Sequence, residues 1–288
     1  MLYFLAMPYN YSVIVPFRDR LELLHKAIAS VPDREDVEII VVDNSETPHG
    51  AEKMPNLLKA HLVYLTSDPT KGAGCARNVG LEQVEGKFVV FLDADDYFTR
   101  EAFSAFDRYL EQDYDIVYFD ADSIKLSDGS RSTRHETIHR YISIYCKYNY
   151  DGNLRYHFSN PICKMFKADY LKKGGFRFQE VKVSNDLMFS LITGHNAKKI
   201  TADPAVVYMI TESGEGQSLV KSKTAINQYT RFTVLVDANA FLKSIGQSKL
   251  CYKLSSATWY ALFHFGPVWF IKYLKYAHSK GLRVFRKK

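Results

Sequence analysis

The chain reads as an α/β fold, a mostly parallel central sheet flanked by helices, followed by a helical, basic and aromatic C-terminal extension. Three observations predict it. Short apolar runs at residues 12–16, 37–42 and 88–92 alternate with stretches of helical periodicity. Two of those runs end in carboxylates, at Asp43 and Asp93. Ten of the 38 basic residues lie beyond Asp237 and none of the 32 acidic ones does, so the preceding part is net acidic and the positive excess sits in the tail.

The elements follow in order. Residues 12–16 form a β-branched run closed by Pro16, and apolar residues at 21, 23, 24, 27 and 28 then repeat as on one face of a helix that stops near Pro32. Residues 37–42 are nearly continuous in apolar side chains, as a parallel strand covered on both faces requires, and run into Asp43-Asn44-Ser45. Residues 61–65 are a third strand. Strand, helix, strand implies a right-handed parallel unit, and ligands of such sheets lie beyond the carboxyl ends of the strands. Pro16, Asp43 and Asp93 are therefore expected on one edge.

The strand at 88–92 delivers Asp93-Ala94-Asp95-Asp96. Hard cations such as Mg²⁺ and Mn²⁺ take oxygen ligands, and two carboxylates can hold one while leaving positions open for phosphates. An isolated D-x-D at a strand exit is also what a solvated turn looks like. The segment 72–80, GAGCARNVG, carries G-x-G but has Arg77 where a dinucleotide fingerprint needs its third glycine, and no G-x-x-x-x-G-K-[ST] occurs anywhere.

Four stretches, SVIVPFRDRLELL, EIIVVDNS, GAGCARNVGLEQVEGKFVVFLDADD and NPICKMFKADYLKKGGFRFQEVKVSNDLMFS, occur in the order found in the family 2 glycosyltransferases. The chain resembles that family, with its GT-A (nucleotide-diphospho-sugar transferase) fold, over roughly residues 10–215. The division implied is a GT-A domain at 9–215 and a lid loop with helical basic extension at 216–288.

The resemblance implies an inverting transfer from a nucleotide-sugar donor, most readily a UDP-sugar, to an acceptor hydroxyl, with Mn²⁺ or Mg²⁺ held by Asp93 and Asp95 around Ala94. Asp43 falls where the family places a carboxylate accepting the N3–H of uracil, which would reject a base lacking that donor. It serves an Asx-turn equally well. Pro16, Phe17 and Arg18 follow the first strand, where the family walls the base and ribose. Arg18 stands at the usual tyrosine and Asp19 at the usual asparagine, and Arg18 could meet a phosphate or pair with Asp19 or Glu22. Arg77 matches the family's G-x-x-x-A-R-N-x-G turn, facing the donor pyrophosphate or the metal-site acids, with Asn78 and Gly80 as packing and turn residues. Asp186 matches the acceptor base of a Glu-Asp pair, here Asn185-Asp186 opening a helix; without the resemblance the same residues read as a helix cap. Lys164 falls in an N-K element, near the donor or at the surface. The stretch from Tyr208 to Ser218, with Gly214 and Gly216, corresponds to a closing lid.

Composition limits the alternatives. Cys75, Cys146, Cys163 and Cys251 lack C-x-x-C spacing, so neither a zinc site nor a disulfide framework is implied, and a reducing cytoplasm fits. The N-terminus has no basic n-region, so no cleaved signal is expected. The aromatic stretch at 257–271 contains His264 and Pro267 and falls short of the roughly 18 residues a spanning helix needs. A last helix is expected between Gly266-Pro267 and Gly281, with Phe270, Ile271, Leu274 and Ala277 on one face and Lys272, Lys275 and Ser279 on another. Trp259, Trp269, Tyr273 and Tyr276 suit an anionic cytoplasmic leaflet, giving a peripheral protein that acts on a saccharide or lipid-linked acceptor in cell-surface polysaccharide synthesis. The other reading of the tail is a helical lid with solvated lysines. No nucleic-acid motif accompanies the basic patch. A sugar nucleotidyltransferase would need a glycine-rich basic loop where the chain has Phe17-Arg18-Asp19-Arg20. A non-catalytic binding module would have to explain the retention of Asp93, Asp95 and Asp186.

Overall fold

In the computed structural model, which describes residues 8–212 and 223–285, the first apolar run becomes β1 (Tyr9–Phe17), followed by α1 (Leu21–Ala29), β2 (Val37–Asp43) and β3 (His61–Thr66). Then come α2 (Gly72–Glu82), β4 (Gly86–Phe91), β5 (Tyr97–Phe98), α3 (Ala102–Asp107) and β6 (Ile116–Lys125). Helices α4 (Glu136–Tyr148) and α5 (Gly152–Tyr156) precede β7 (Lys164–Lys167), α6 (Ala168–Gly174), α7 (Asp186–Asn196) and β8 (Ile200–Glu212). Among the described residues the strands form one sheet in the order β3-β2-β1-β4-β7-β6-β8-β5.

The first half of that sheet is parallel, as its apolar runs demand: β2 is buried along its whole length, and Phe17, Asp43 and Thr66 lie in register at the carboxyl edge. Pairing of β1 with β4 ends at Ile14 and Phe91, so the missing N–H of Pro16 lies beyond that ladder. The second half is mixed. β7 runs antiparallel to both β4 and β6, and β6 pairs parallel with β8.

An aromatic cluster fixes α7 on this frame. Phe91 at the end of β4 meets Phe178 and Phe189 edge-on at 5.3 and 5.8 Å, and Phe178 stacks on Phe189 at 3.8 Å. Such ring pairs contribute beyond their buried area. They place the start of α7 beside the acids that leave β4.

The remaining chain forms α8 (Ala225–Ser244), α9 (Ser255–Phe265) and α10 (Pro267–Ser279). Its helices share a core of Phe232, Val236, Leu254, Ala261, Tyr273 and Ala277, while Ala238 and Leu242 of α8 pack on Leu191 of α7. The last acid, Asp237, accepts hydrogen bonds from Tyr276 and Gln179 and pairs with Lys280, tying α8 to α10 and to the segment before α7. Helix α10 starts and stops where Gly266-Pro267 and Gly281 predicted, but its aromatic face differs. Tyr273 is buried on Phe232 at 4.2 Å, and Trp269 and Tyr276 are half-buried around Tyr229. Of the four interfacial aromatics expected from the sequence, Trp259 alone is exposed, joined by Phe263, Val268, Ile271 and Phe285. Among the described residues no helix is long and apolar enough to cross a membrane.

Candidate active site

The turn into α2 is shaped by close backbone approach. Gly72 has φ +72°, and a Cβ at Gly74 would lie 2.2 Å from the carbonyl oxygen of Gln179. Asn78 completes the contact: its Nδ2 donates to the Phe178 carbonyl at 3.0 Å and its Oδ1 accepts the Phe178 N–H at 2.8 Å. The start of α2 is thus clamped to the segment leading into α7, with Arg77 between them.

Arg77 is buried at 4% exposure and joins three segments of the chain. Its Nη1 donates to Asn185 Oδ1 at 2.9 Å and to Asp186 Oδ1 at 2.7 Å, and its Nη2 donates to Asp93 Oδ1 at 2.6 Å. The guanidinium also lies over the Phe178 ring at 5.4 Å. Burial alone would lower its pKa, yet Asp186 and Asp93 hold it above the usual arginine value. Burial pushes the Asp186 carboxyl up, with Arg77 opposing. The Asn185 and Asp186 side chains make no cap hydrogen bond at the start of α7, so the helix-cap reading of these residues does not describe them. The amide of Asn185 instead links Arg77 to the Val181 carbonyl.

The acidic turn after β4 is fastened to the end of β8. Tyr208 Oη accepts the Asp93 N–H at 3.0 Å, the Asp95 carbonyl accepts from Thr211 Oγ1 at 2.6 Å, and Asp96 Oδ1 accepts the Thr211 N–H at 2.7 Å. Ala94 is half-buried between two acids of different fate. Asp93 is tied to Arg77, while Asp95 reaches solvent. The surrounding protein and then Asp93 push the Asp95 carboxyl above the usual range; burial, Asp95 and Asp93 do the same to Asp96. That crowding of negative charge is what a divalent cation relieves. Among the described residues no group of three or more His, Cys, Asp and Glu side chains is placed to hold a metal. Two carboxylates with phosphates filling the other positions is nevertheless an ordinary Mg²⁺ or Mn²⁺ arrangement, and Asp93 with Asp95 fits it.

At the far end of the edge, Asp43 is fully buried and well satisfied. Its Oδ1 accepts the Ser45 N–H at 2.8 Å, and its Oδ2 accepts the His49 N–H and the Tyr64 hydroxyl, each at 2.8 Å. Burial pushes this carboxyl up, but the hydrogen bonds from Ser45, His49 and Tyr64 outweigh it and hold it at about 2. The Asx-turn is therefore present, with His49 and Tyr64 as partners that sequence reasoning did not name. Pro16 and Phe17 are buried, and the Phe17 ring lies 5.0 Å from His49. Arg18 is half-exposed and pairs with Asp19 at 3.4 Å and with Glu46 at 3.3 Å rather than with Glu22.

Lys164 is neither near the surface nor paired there. It is buried at 2% exposure, donates to the Phe158 carbonyl at 2.7 Å and lies over the Phe158 and Tyr118 rings at 4.6 and 5.3 Å. Burial pulls its ammonium down to about 7, with Cys163 and Asp186 opposing. The glycines expected in a lid, Gly214 and Gly216, and the division between 215 and 216 lie outside the described residues.

These geometries can be set beside known proteins. The model of the family described as "Glycosyl transferase family 2" matches residues 12–175. Among curated relatives, the poly(ribitol-phosphate) beta-N-acetylglucosaminyltransferase TarS of Staphylococcus aureus (strain MW2) is 26% identical over 220 residues, covering 73% of this chain and 37% of TarS. A GalNAc(5)-diNAcBac-PP-undecaprenol beta-1,3-glucosyltransferase of Campylobacter jejuni is 35% identical over 112 residues, 37% of this chain and 36% of that protein. The chain thus spans little more than a third of the length of these relatives. Among solved structures, S. aureus TarS 1–349 in complex with UDP-GlcNAc superimposes with a TM-score of 0.57 at 19% identity, covering 95% of this chain and 92% of that one. A mannosyltransferase from Pyrobaculum calidifontis in complex with GDP-Man and Mn²⁺ gives 0.57 at 17% identity, covering 94% and 75%. These likenesses establish the fold as GT-A. With more than half of the chain matched by the family model, from β1 through the Arg77 turn and the acids after β4, this chain belongs to glycosyl transferase family 2.

Proposed function

We propose that the chain catalyses inverting transfer of a sugar from a nucleotide-diphosphate sugar, a UDP-sugar foremost, to an acceptor hydroxyl of a saccharide or lipid-linked glycan in cell-surface polysaccharide synthesis. The observation that carries this is the single guanidinium of Arg77, which gathers Asp93 from the strand end and Asp186 from the helix start. Donor-side and acceptor-side carboxylates are thereby held at one point, as a single displacement needs.

In this reading Asp93 and Asp95 hold Mn²⁺ or Mg²⁺, which supplies charge neutralisation for the leaving diphosphate. Asp186 takes the proton of the attacking hydroxyl. Burial raises its pKa, which makes it a stronger base than a solvated aspartate, and Arg77 keeps it aimed. Asp43 sits at the base-binding end with Pro16 and Phe17, its hydrogen-bond partners hold it ionised, and a base N–H would have to displace His49 or Tyr64 from its Oδ2. Arg18 is the cation at the mouth of that end. Residues 9–215 act as the catalytic domain, with 216–288 as lid and extension. UDP-GlcNAc and the polyol-phosphate and undecaprenol-linked acceptors named for relatives are consistent with this donor and acceptor class.

The extension is proposed to dock on an anionic membrane surface, placing the protein peripherally on the cytoplasmic leaflet. Trp259, Phe263, Val268, Ile271 and Phe285 expose apolar surface beside Lys272 and Lys275, in a segment without a single acid.

The test is a panel of UDP-, GDP- and CDP-sugars scored for slow hydrolysis and transfer, with and without chelator, and with the anomeric configuration of the product determined. A UDP preference, loss of turnover on chelation and in Asp95→Ala, and inverted product are expected. Full turnover in excess chelator, or retention of configuration, would overturn the reading.

A further inference from the structure

Strand β7 carries a buried cation that the reaction above leaves unused. Met165 pairs with Val90 of β4 and with Val117 of β6, so the strand is fixed on both sides, and Lys164 stands opposite Tyr118. Alternate strand residues share a face of the sheet, which puts Lys164 on the side of Phe166, whose ring meets Phe189 of α7 at 5.7 Å. The ammonium therefore lies on the α7 side of the sheet, and Asp186 opens α7.

Its surroundings suit a charge poorly. Among the described residues its Nζ meets one hydrogen-bond acceptor, the Phe158 carbonyl at 2.7 Å, and otherwise faces the Phe158 and Tyr118 rings at 4.6 and 5.3 Å. The buried Tyr118 hydroxyl finds no partner among those residues. A methionine would fill such a place without the cost of burying an ammonium. The charge has two objects. Ser159 and Asn160, which follow the carbonyl it grips, line a cleft of about 480 Å³ together with Asp186. Burial pulls the ammonium down, with Cys163 and then Asp186 opposing, and Lys164 in turn joins Arg77 in opposing the burial that raises Asp186.

Two cations thus serve one carboxylate, and they differ in kind. Arg77 comes from α2, stays charged and is shared with Asp93, whereas Lys164 comes from β7 and can lose its proton. We infer that Lys164 is a positioning residue of the transferase: its ammonium favours the ionised Asp186 that takes the acceptor's proton, and its hydrogen bond fixes the segment 158–160 that lines the cleft with that carboxylate. The inference rests on Asp186 as the base. The other ionisable groups around the pair are Arg77 and Asp93 on Asp186, Cys163 and Tyr118 on Lys164, Arg155 of α5 beyond Tyr118, and His157 and Arg231 in the cleft. With Lys164 at about 7, its charge supports the base on the acid side of neutrality and is gone above about pH 8.

The test has two arms, both on the whole chain. In the first, lysine labelled with ¹³C at Cε is titrated by NMR, with the Lys164 signal assigned from its Overhauser contacts to the Phe158 and Tyr118 rings. Its midpoint should lie near 7, and Asp186→Asn should lower it by about one pH unit, because the ammonium loses a counter-charge. Lys71, paired with Glu180 at the surface, should not move. A Lys164 midpoint unchanged by Asp186→Asn would overturn the inference. In the second arm, hydrolysis of UDP-GlcNAc with Mn²⁺ is followed against pH. Lys164→Met should shift the acid limb upward by about one unit, roughly a tenfold loss on that limb, with the two curves meeting by pH 8.5. A loss equal at every pH would show that Lys164 only packs, and would also overturn the inference. UDP binding reports a folded variant. If Lys164→Met fails to fold, or the chain does not hydrolyse UDP-GlcNAc, the first arm decides. Normal turnover by Asp186→Asn sinks the base and this inference with it, whereas an inactive Asp186→Asn beside a pH-independent Lys164→Met sinks the inference alone.

Discussion

The sheet edge and the C-terminal helices treat charge in opposite ways. At the edge, Asp43, Asp93 and Asp186 are each tied to named donors, and the one cation among the last two, Arg77, is buried and makes three polar contacts. After Asp237 the helices carry no acid of their own, so apart from Lys280, which pairs back to Asp237, their charges find no partner within the segment, and apolar rings stand in solvent beside them. A cross-linked charge holds position at the cost of being intolerant to substitution, whereas a solvated one is tolerant and acts through long-range attraction. Single substitutions should therefore separate the two regions sharply.

The largest effect is expected at Asp186. Asp186→Asn keeps the shape and an oxygen toward Arg77 but removes the proton acceptor, so transfer should fall by roughly two to four orders of magnitude. UDP affinity should change little, because Arg77 keeps Asp93 and Asn185 as partners. Near-normal transfer by this variant would move the base elsewhere.

Arg77→Met tests the cross-link itself. Two carboxylates would lose their shared cation, and because each is about a third exposed the loss should sit near the lower end for broken buried pairs, about 3 kcal/mol in urea unfolding. A second-site Asp93→Asn should recover part of it by removing one stranded charge. No recovery would mean that packing on Phe178, and not charge, sets the cost.

Asp43 gives the edge a pH signature. Its folded pKa of about 2 lies below the roughly 3.9 of an unfolded chain, so its contribution is full above about pH 5 and drains away as pH falls toward 2. The size is about 2.6 kcal/mol. Asp43→Asn should be less stable than the unmodified chain at pH 6, with the gap closing by pH 2.5. Parallel curves would show that the hydrogen bonds from Ser45, His49 and Tyr64 do not favour the ionised form.

Much of the edge was legible because it is local. The runs at 12–16, 37–42 and 88–92 are apolar for as long as a buried strand lasts, and Asp43 and Asp93 mark where the second and third of them end. What escaped depends on distant chain. Glu38 sits buried inside β2, where it accepts the Glu85 and Gly86 N–H groups from the turn before β4, a role that no pattern within β2 announces. Thr211, more than a hundred residues on, pins the acidic turn through Asp95 and Asp96, and it looks like any strand-end threonine. Lys164 reads as a lysine near the donor or at the surface until β7 is seen between β4 and β6. Tyr273 has the composition of an interfacial residue, but Phe232 covers it. Periodicity tells which faces are apolar, not which of two apolar faces another helix will claim.

The helices should show the smallest effects, spread over several residues. Phe263 is 77% exposed and Ile271 49%, so removing either disturbs little inside the fold. On a membrane each would bury part of its side chain, and at about 25 cal/mol per Å² a partly inserted residue contributes about 1 kcal/mol, or roughly fivefold in partitioning. Phe263→Ser and Ile271→Ser should each lower sedimentation with phosphatidylserine-containing vesicles by about that factor, and salt should weaken binding of the intact chain by screening its lysines. Leu58 supplies the comparison, since it is 93% exposed but lies in the sheet half, before β3. Leu58→Ser should leave sedimentation unchanged. If it matters as much as Phe263→Ser, exposure alone governs binding and the extension has no special role. If neither substitution matters and the intact chain ignores anionic vesicles at low salt, α9 and α10 are a lid, and their exposed rings serve something other than a bilayer.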